Sequence, residues 1–185
     1  QVNKAQEEFN KGISEGITAI GEDIYLINKL SQEWSALGES LEEKRRFIAD
    51  NAEALNGLGV EVKDVRDAER LFIEQTPKYI EALKARAKAD AARKYAEQKY
   101  TEAIEAEMAI ELYKAQNPEP ELNMSARSQA EMDKQYYAFT KWYEPLAPLY
   151  DKLHEAEEWA DKAFELAEEL GAQSDQLFDE LGITN

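Results

Sequence analysis

The single histidine of the chain is the residue whose neighbours come closest to a chemical site. His154 has Asp151 three residues before it and Glu158 four residues after it, so a helix would place all three on one face. Such a face offers metal ligands, but a carboxylate-bridged di-iron bundle requires a Glu-x-x-His motif on each of two helices. The chain has one His and no such motif. The pattern therefore favours a solvated histidine on an acidic face over a metal site.

The residues for other kinds of catalysis are also missing. The absence of cysteine excludes a thiol nucleophile, a disulfide framework and zinc bound through sulfur. No serine lies in a Gly-x-Ser-x-Gly elbow, and no Asp/Asn/Gly run resembles a calcium loop. Gly57-Leu58-Gly59 lacks the preceding strand and third glycine of a phosphate loop, and indicates a helix end. We predict a non-enzymatic protein with no catalytic, cofactor-binding or metal-binding residues and no cofactor.

Charge limits the partners of the chain. It carries 39 acidic and 22 basic side chains, a net charge of −17, which argues against nucleic acid and against an anionic membrane surface. No apolar run approaches the roughly 18 residues that span a bilayer, and no basic-then-apolar leader is present. Because the sequence starts at Gln1 rather than Met, we expect either a processed protein or a fragment of a longer one, and we favour the fragment.

The elements that must position these residues read as helices. Apolar residues recur every three or four positions from Ile13 to Leu55, a period of 3.5 that is typical of a helix lying against another helix. This row predicts one long helix over 1–56. Ser40 followed by Glu43 offers an alternative, a helix end and a new capping box, but the apolar row keeps its phase there. We therefore favour a continuous helix.

A second long helix is predicted over 76–116, after a turn and a short helix over 57–75. Thr76 suits the N-cap and Pro77 the first helical position, where its missing N–H costs nothing. A row of mostly small residues on one face would allow close helix contact. Its members are Ala82, Ala85, Ala89, Ala92, Ala96, Lys99, Ala103, Ala106, Ile110 and Tyr113. A second row predicts another neighbour, and comprises Leu83, Ala87, Tyr100, Ile104, Met108 and Leu112.

The clearest linker covers 117–127. Pro118 and Pro120 stop the preceding helix and extend the backbone. Ser128 followed by Glu131 forms a capping box that begins the next helix.

That next helix is predicted over 128–171 with a kink caused by proline. Pro145 and Pro148 each remove a backbone donor, so we expect a kink or short break near 143–148. Gly171 is expected to end the helix, and a last short helix is predicted over 174–182.

The predicted lengths set the architecture. A helix over 76–116 would measure roughly 60 Å, which exceeds what a compact domain of this size accommodates. The fold class is therefore all-α, an elongated antiparallel helical bundle or coiled-coil hairpin, with 1–185 as a single segment.

Aromatic residues concentrate near the two prolines. This cluster would form either a docking surface, since aromatic residues dominate interface energetics, or the core of a kinked bundle. We favour the core. The cluster comprises Tyr136, Tyr137, Phe139, Trp142, Tyr143 and Tyr150.

Residues 30 to about 110 carry a family resemblance. The stretch resembles a segment of the phage tail tape-measure proteins encoded in prophages of gut Bacteroidetes-type bacteria. The matching residues are Trp34-x-x-Leu37-Gly38, Phe47-Ile48, Leu58-Gly59-Val60, Asp67-Ala68-Glu69, Ala82-Leu83-x-x-Arg86-Ala87 and Ala96-x-x-x-Tyr100.

The resemblance implies a long helical structural protein that sits inside the tail tube and determines tail length. It implies self-association through apolar helix faces, tail-tube and baseplate proteins as partners, and a location in the bacterial cytoplasm during assembly and then in the phage tail lumen. The chain is much shorter than the family and lacks its apolar segment, which fits a fragment. The alternative function is a helical adaptor module that docks a partner through the aromatic cluster at 136–150, and an enzyme with a site in the bundle core is a third.

Overall fold

The structure is a computed structural model that describes residues 4–182, and the predicted all-α class is confirmed. Helices account for most of these residues, and no strand occurs among them. None of the helices in this range is long and apolar enough to cross a bilayer. The helices are α1 (Lys4–Thr18), α2 (Gly21–Ala36), α3 (Leu41–Asp50), α4 (Ala52–Gly57), α5 (Val65–Glu69), α6 (Thr76–Gln116), α7 (Gln129–Tyr143) and α8 (Ala147–Leu181), with a π-helical turn at Arg70–Gln75.

The chain divides into two compact units rather than forming the single predicted segment. Unit 1 comprises Gln1–Arg93 and Phe164–Asn185, and unit 2 comprises Lys94–Ala163. Helices α6 and α8 each contribute residues to both units.

The continuous helix predicted over 1–56 is wrong, because the chain breaks it into α1 to α4. The main break follows Leu37. There Gly38 adopts a φ of +65°, and the Glu43 N–H donates to Ser40 Oγ at 3.3 Å, so the capping box begins α3. The residues of the apolar row, although they keep their spacing in the sequence, therefore no longer share one helix face. Leu41, which that row required to be covered, is 58% exposed, and Phe47 is buried instead.

The helix predicted over 76–116 is confirmed as α6, but Thr76 is not its N-cap. Residue Thr76 has a helical backbone, and α5, the π-turn and α6 follow one another without a break. In the π pattern, where each carbonyl bonds to the N–H five residues ahead, the Phe72 carbonyl faces residue 77, a proline with no N–H. Two hydroxyls supply the missing donors. Ser31 Oγ donates to the Phe72 carbonyl at 2.6 Å, and Thr76 Oγ1 contacts the Leu71 and Phe72 carbonyls at 3.0 and 3.3 Å.

The last predicted boundary differs as well, since α8 runs through Gly171 to Leu181. Ser174 caps no helix but lies on the buried face of α8, where its Oγ donates to the Ala82 carbonyl of α6 at 3.4 Å. Packing of this face outweighs the cost of a helical glycine, which is about 1 kcal/mol relative to Ala. The break expected near 143–148 lies between α7 and α8, with Pro145 in the gap and Pro148 in the first turn of α8.

The core of unit 1 contains a cluster of aromatic rings among aliphatic side chains. Trp34, Phe47 and Phe72 contact one another with ring centroids 5.6 to 6.0 Å apart. Glu69 accepts hydrogen bonds from the Trp34 indole at 2.8 Å and from Lys44 Nζ at 3.3 Å. The indole N–H, which is the one polar group of the three rings, therefore has a partner.

In unit 1, α6 and α8 run antiparallel, as contacts of Lys78 with Glu180 and of Tyr79 with Phe178 indicate. In unit 2 the pairing is again antiparallel, with Tyr95 against Trp159 and Lys114 against Tyr150. The predicted small-residue row of α6 is buried from Ala82 to Ile110. The second row is buried only at Leu83 and Ala87, and its four remaining members are exposed.

Candidate docking surface

Helix α7 buries none of its side chains, although it carries six large apolar or aromatic residues. Tyr136 is 74% exposed and Tyr137 is 64% exposed. The interpretation of the aromatic cluster as core is therefore wrong for Tyr136, Tyr137 and Tyr143, which lie on the surface of unit 2. We define the aromatic surface as Leu122, Met124, Met132, Tyr136, Tyr137, Phe139, Tyr143 and Tyr150.

Local hydrogen bonds determine where α7 begins. The Glu131 N–H donates to Ser128 Oγ at 3.2 Å, and the Arg127 N–H donates to the Glu131 carboxylate at 3.2 Å. The first bond satisfies an amide of the first turn, which has no partner within the helix, and the second fixes the residue that precedes the N-cap. Ser128 thus caps the helix as the sequence predicts, whereas the Glu131 carboxylate accepts from the N–H of residue 127 and not from that of Ser128, as the predicted capping box requires.

The linker that precedes α7 folds back onto it. Gln135 Oε1 accepts from the Asn123 N–H at 2.9 Å, and Gln135 Nε2 donates to the Asn123 carbonyl at 3.5 Å. Asn123 Oδ1 in turn accepts from the Ser125 N–H at 2.9 Å, which closes an Asx turn. Because of these bonds, Leu122 and Met124 lie beside α7.

An open apolar cleft of about 490 Å³ lies between the linker and α7. Met124 is 92% exposed at its rim and Met132 is 47% exposed. Methionine side chains are flexible and polarizable, and they adapt to partners of different shape. The residues that line the cleft are Leu122, Asn123, Met124, Ala126, Met132, Gln135, Tyr136 and Phe139.

Two hydrogen bonds attach α7 to the end of α6. The Trp142 indole donates to the Asn117 carbonyl at 2.6 Å, and Tyr113 Oη donates to the Trp142 carbonyl at 2.9 Å. The two rings also contact each other, with centroids 6.5 Å apart. Trp142 thereby attaches one side of α7 to the end of α6, and Tyr136 and Tyr137 of α7 remain exposed.

Stacked rings continue from α7 into α8. Phe139 stacks on Tyr143 and Tyr143 on Tyr150, each pair with centroids 6.1 Å apart, and Tyr150 stacks on His154 at 6.3 Å. Lys114 Nζ lies 5.4 Å from the centre of the Tyr150 ring, and its hydrogen bond to Tyr150 raises the pKa of Lys114. The stack joins both sides of the proline break into one continuous aromatic strip.

The residues suspected of metal chemistry are not brought together. His154 is exposed and its Nδ1 lies 3.7 Å from a carboxylate oxygen of Glu157, while Glu158 pairs with Lys162 at 2.6 Å. Within residues 4–182, no three acidic or histidine side chains are grouped in a way that would hold a metal ion.

Sequence reasoning missed two parts of this region. It assigned 117–127 only as a linker, and the folding of Leu122 and Met124 over α7 depends on the Gln135 bonds, which no spacing reveals. It also omitted Trp159, which is 7% exposed against Tyr95.

Comparison with known proteins gives no relative from which a role could be transferred. No family model matches the chain, and no curated protein or solved structure is significantly similar to it.

Proposed function

We propose that this chain is a non-enzymatic helical protein-interaction module that docks a partner protein through its aromatic surface. The observation that carries the proposal is a 15-residue helix, α7, with no buried residue. Isolated helices of that length are marginal in water, and helices in proteins owe most of their stability to the packing of an apolar face. A partner that covers α7 would supply that packing.

The composition of the surface supports the same function. Tyrosine and tryptophan are the residues that most often dominate interface energetics, and methionine is enriched at interfaces. The aromatic surface contains four tyrosines and two methionines, and Tyr136 and both methionines line its open cleft. The stack from Phe139 to His154 holds several rings in place before binding, which lowers the entropy cost of association.

Site-specific photo-crosslinking tests the proposal. The photoreactive amino acid p-benzoylphenylalanine would replace Tyr136 in the protein expressed in its source cells. Tyr25, which is 71% exposed on α2, is the matched control position. We expect one discrete adduct at position 136 that is absent at position 25, and the captured protein should bind the purified chain directly. No adduct at 136, or the same adducts at both positions, would contradict the proposal.

A second candidate is the structural segment of a tape-measure protein that the resemblance implies, with tail-tube and baseplate proteins as partners in the phage tail. The feature that favours it is α6, whose 41 residues carry a long row of buried small residues. In-frame deletion of the segment from a parent phage would shorten the tail by roughly 280 Å if the chain acts as an extended helical ruler. Normal tail length would reject this role.

A further inference from the structure

Helix α6 carries a second uncovered apolar face in unit 2. Tyr100, Ile104, Met108 and Leu112 follow one another at intervals of four residues and are 39, 56, 63 and 59% exposed. Residues four apart are neighbours on a helix, so the four side chains form one row about 18 Å long. We call it the α6 row. It shares no residue with the aromatic surface.

The same side of α6 accepts other helices earlier in the chain. Leu83 and Ala87, which begin this row in the sequence, are only 4% and 9% exposed in unit 1. A Cβ on Gly16 of α1 would lie 3.2 Å from the Ala87 carbonyl and 2.7 Å from Ala91 Cβ, so helix-on-helix contact there is close. The α6 row, with large apolar side chains at the same four-residue spacing, is an equivalent face later in the helix that no other described residue buries.

Charge indicates what covers the α6 row. Glu105, Glu107 and Glu111 each lie three residues from Ile104 or Met108 and therefore border the row. All three are exposed, and none forms an ion pair with another residue of the range 4–182. Tyr100 adds a bond to a fourth acid, since its Oη donates to Asp161 at 2.9 Å.

The three glutamates that border the row would repel two alternative occupants. A second copy of the chain would bring its own glutamates against the first, in a protein of net charge −17. An anionic lipid surface would be repelled in the same way. A cationic helix would bury the apolar row and neutralise the three carboxylates at once.

We propose that the α6 row, with Glu105, Glu107 and Glu111, is a docking face for a basic amphipathic helix of a partner protein. The partner helix presents apolar residues at intervals of three and four, flanked by Lys or Arg. The row of about 18 Å spans a little over three helical turns, so a partner helix that covers all four side chains crosses α6 at a shallow angle of about 20°.

Binding of two designed peptides tests the proposal. Each is a stapled helix of about 18 residues, the length of the contact plus its flanks, with the same leucine face. One carries lysine and the other glutamate at the flanking positions. Fluorescence anisotropy with the intact chain should give saturable binding of the lysine peptide that weakens as salt increases, and no binding of the glutamate peptide.

Paired variants locate the site. Ile104→Ser with Met108→Ser should weaken binding of the lysine peptide about ten-fold or more. The control Leu41→Ser, at a side chain 58% exposed in unit 1, should leave it unchanged. Glu105→Gln with Glu107→Gln and Glu111→Gln should weaken binding and flatten its salt dependence. The control triple, Glu165→Gln with Glu168→Gln and Glu169→Gln, makes the same change in net charge at exposed positions of α8.

Several results would overturn the proposal. They are equal binding of the two peptides, no binding of either, equal losses from the two glutamine triples, and unchanged binding by the Ile104 and Met108 variant. Self-association of the free chain that is lost in this variant would also overturn it, because the occupant would then be a second copy. The aromatic surface remains intact in every variant, so these results leave the docking role of α7 to its own test.

Discussion

The Trp142 indole donates a 2.6 Å hydrogen bond to the Asn117 carbonyl, and this bond joins α7 to the end of α6. Because α7 buries no side chain, its position depends on this bond, on the Tyr113 bond to the Trp142 carbonyl and on ring contacts. The free energy that holds α7 in place is therefore small, of the order of a few hydrogen bonds at about 1 kcal/mol each.

Trp142→Phe should release α7 while the rest of the chain stays folded. The variant keeps an aromatic ring and loses the donor, so we expect amide hydrogen exchange across 129–143 to accelerate several-fold, as for a loss of about 1 kcal/mol. Exchange in α2 and α3 should not change. Hydrogen-exchange mass spectrometry measures both, with Tyr25→Phe as a surface control. Unchanged protection of α7 would mean that the indole bond does not hold it.

The π-turn should depend on two hydroxyls that serve one carbonyl. Ser31 donates to Phe72 O, and Thr76 shares its one hydroxyl proton between Leu71 O and Phe72 O, so Ser31→Ala or Thr76→Val alone should lower the free energy of unfolding by about 1 kcal/mol. The double variant leaves that carbonyl without either donor and should lose more than the sum of the two. Urea denaturation measures this coupling. Ser35→Ala, which removes an exposed bond to the Ser31 carbonyl, is the control. Strict additivity would show that the two hydroxyls act independently.

Two glycines of α1 should respond in opposite directions to alanine. A Cβ at Gly12 meets nothing within 4 Å, so Gly12→Ala should raise the free energy of unfolding by about 0.5–1 kcal/mol through helix propensity. A Cβ at Gly16 would lie 2.7 Å from Ala91 Cβ. Gly16→Ala should therefore lower stability, since overpacking costs about 1–3 kcal/mol and exceeds the propensity gain. Thermal melts of both variants test this, and equal shifts would contradict the close packing of α1 on α6.

The contact of Lys78 with Glu180 should make stability depend on pH at the acid end. Hydrogen bonds from Lys78 and Gln176 hold the pKa of Glu180 below its ordinary value of 4.5. A depressed folded-state pKa stabilises the fold above the unfolded-state value, and this contribution disappears as pH falls through the lowered pKa. The wild type should thus exceed Glu180→Gln in free energy of unfolding above about pH 5, and this difference should disappear as the pH is lowered further. Urea melts across this range measure it, and Glu168→Gln should show no such closing.

Sequence periodicity predicted the helical class and the buried face of α6, because a row from Ala82 to Ile110 repeats without interruption. It failed where a local signal competed with that repeat. The Ser40 capping box ended a helix whose apolar phase continued, and hydroxyls from Ser31 and Thr76 allowed a helix to continue through Pro77. Periodicity also assigns a face without saying whether anything covers it. Leu83 and Met108 belong to one row, yet one is buried and the other is exposed.

The measurement that tests the docking account most directly is the affinity of the purified chain for the protein captured at position 136. Calorimetry would compare wild type with the pair Tyr136→Ser and Tyr137→Ser, and with Tyr25→Ser as the control. Loss of two interface tyrosines should weaken binding about a hundred-fold, and the control should not change it. Equal affinity in all three proteins would contradict the assignment of the α7 face as the docking surface.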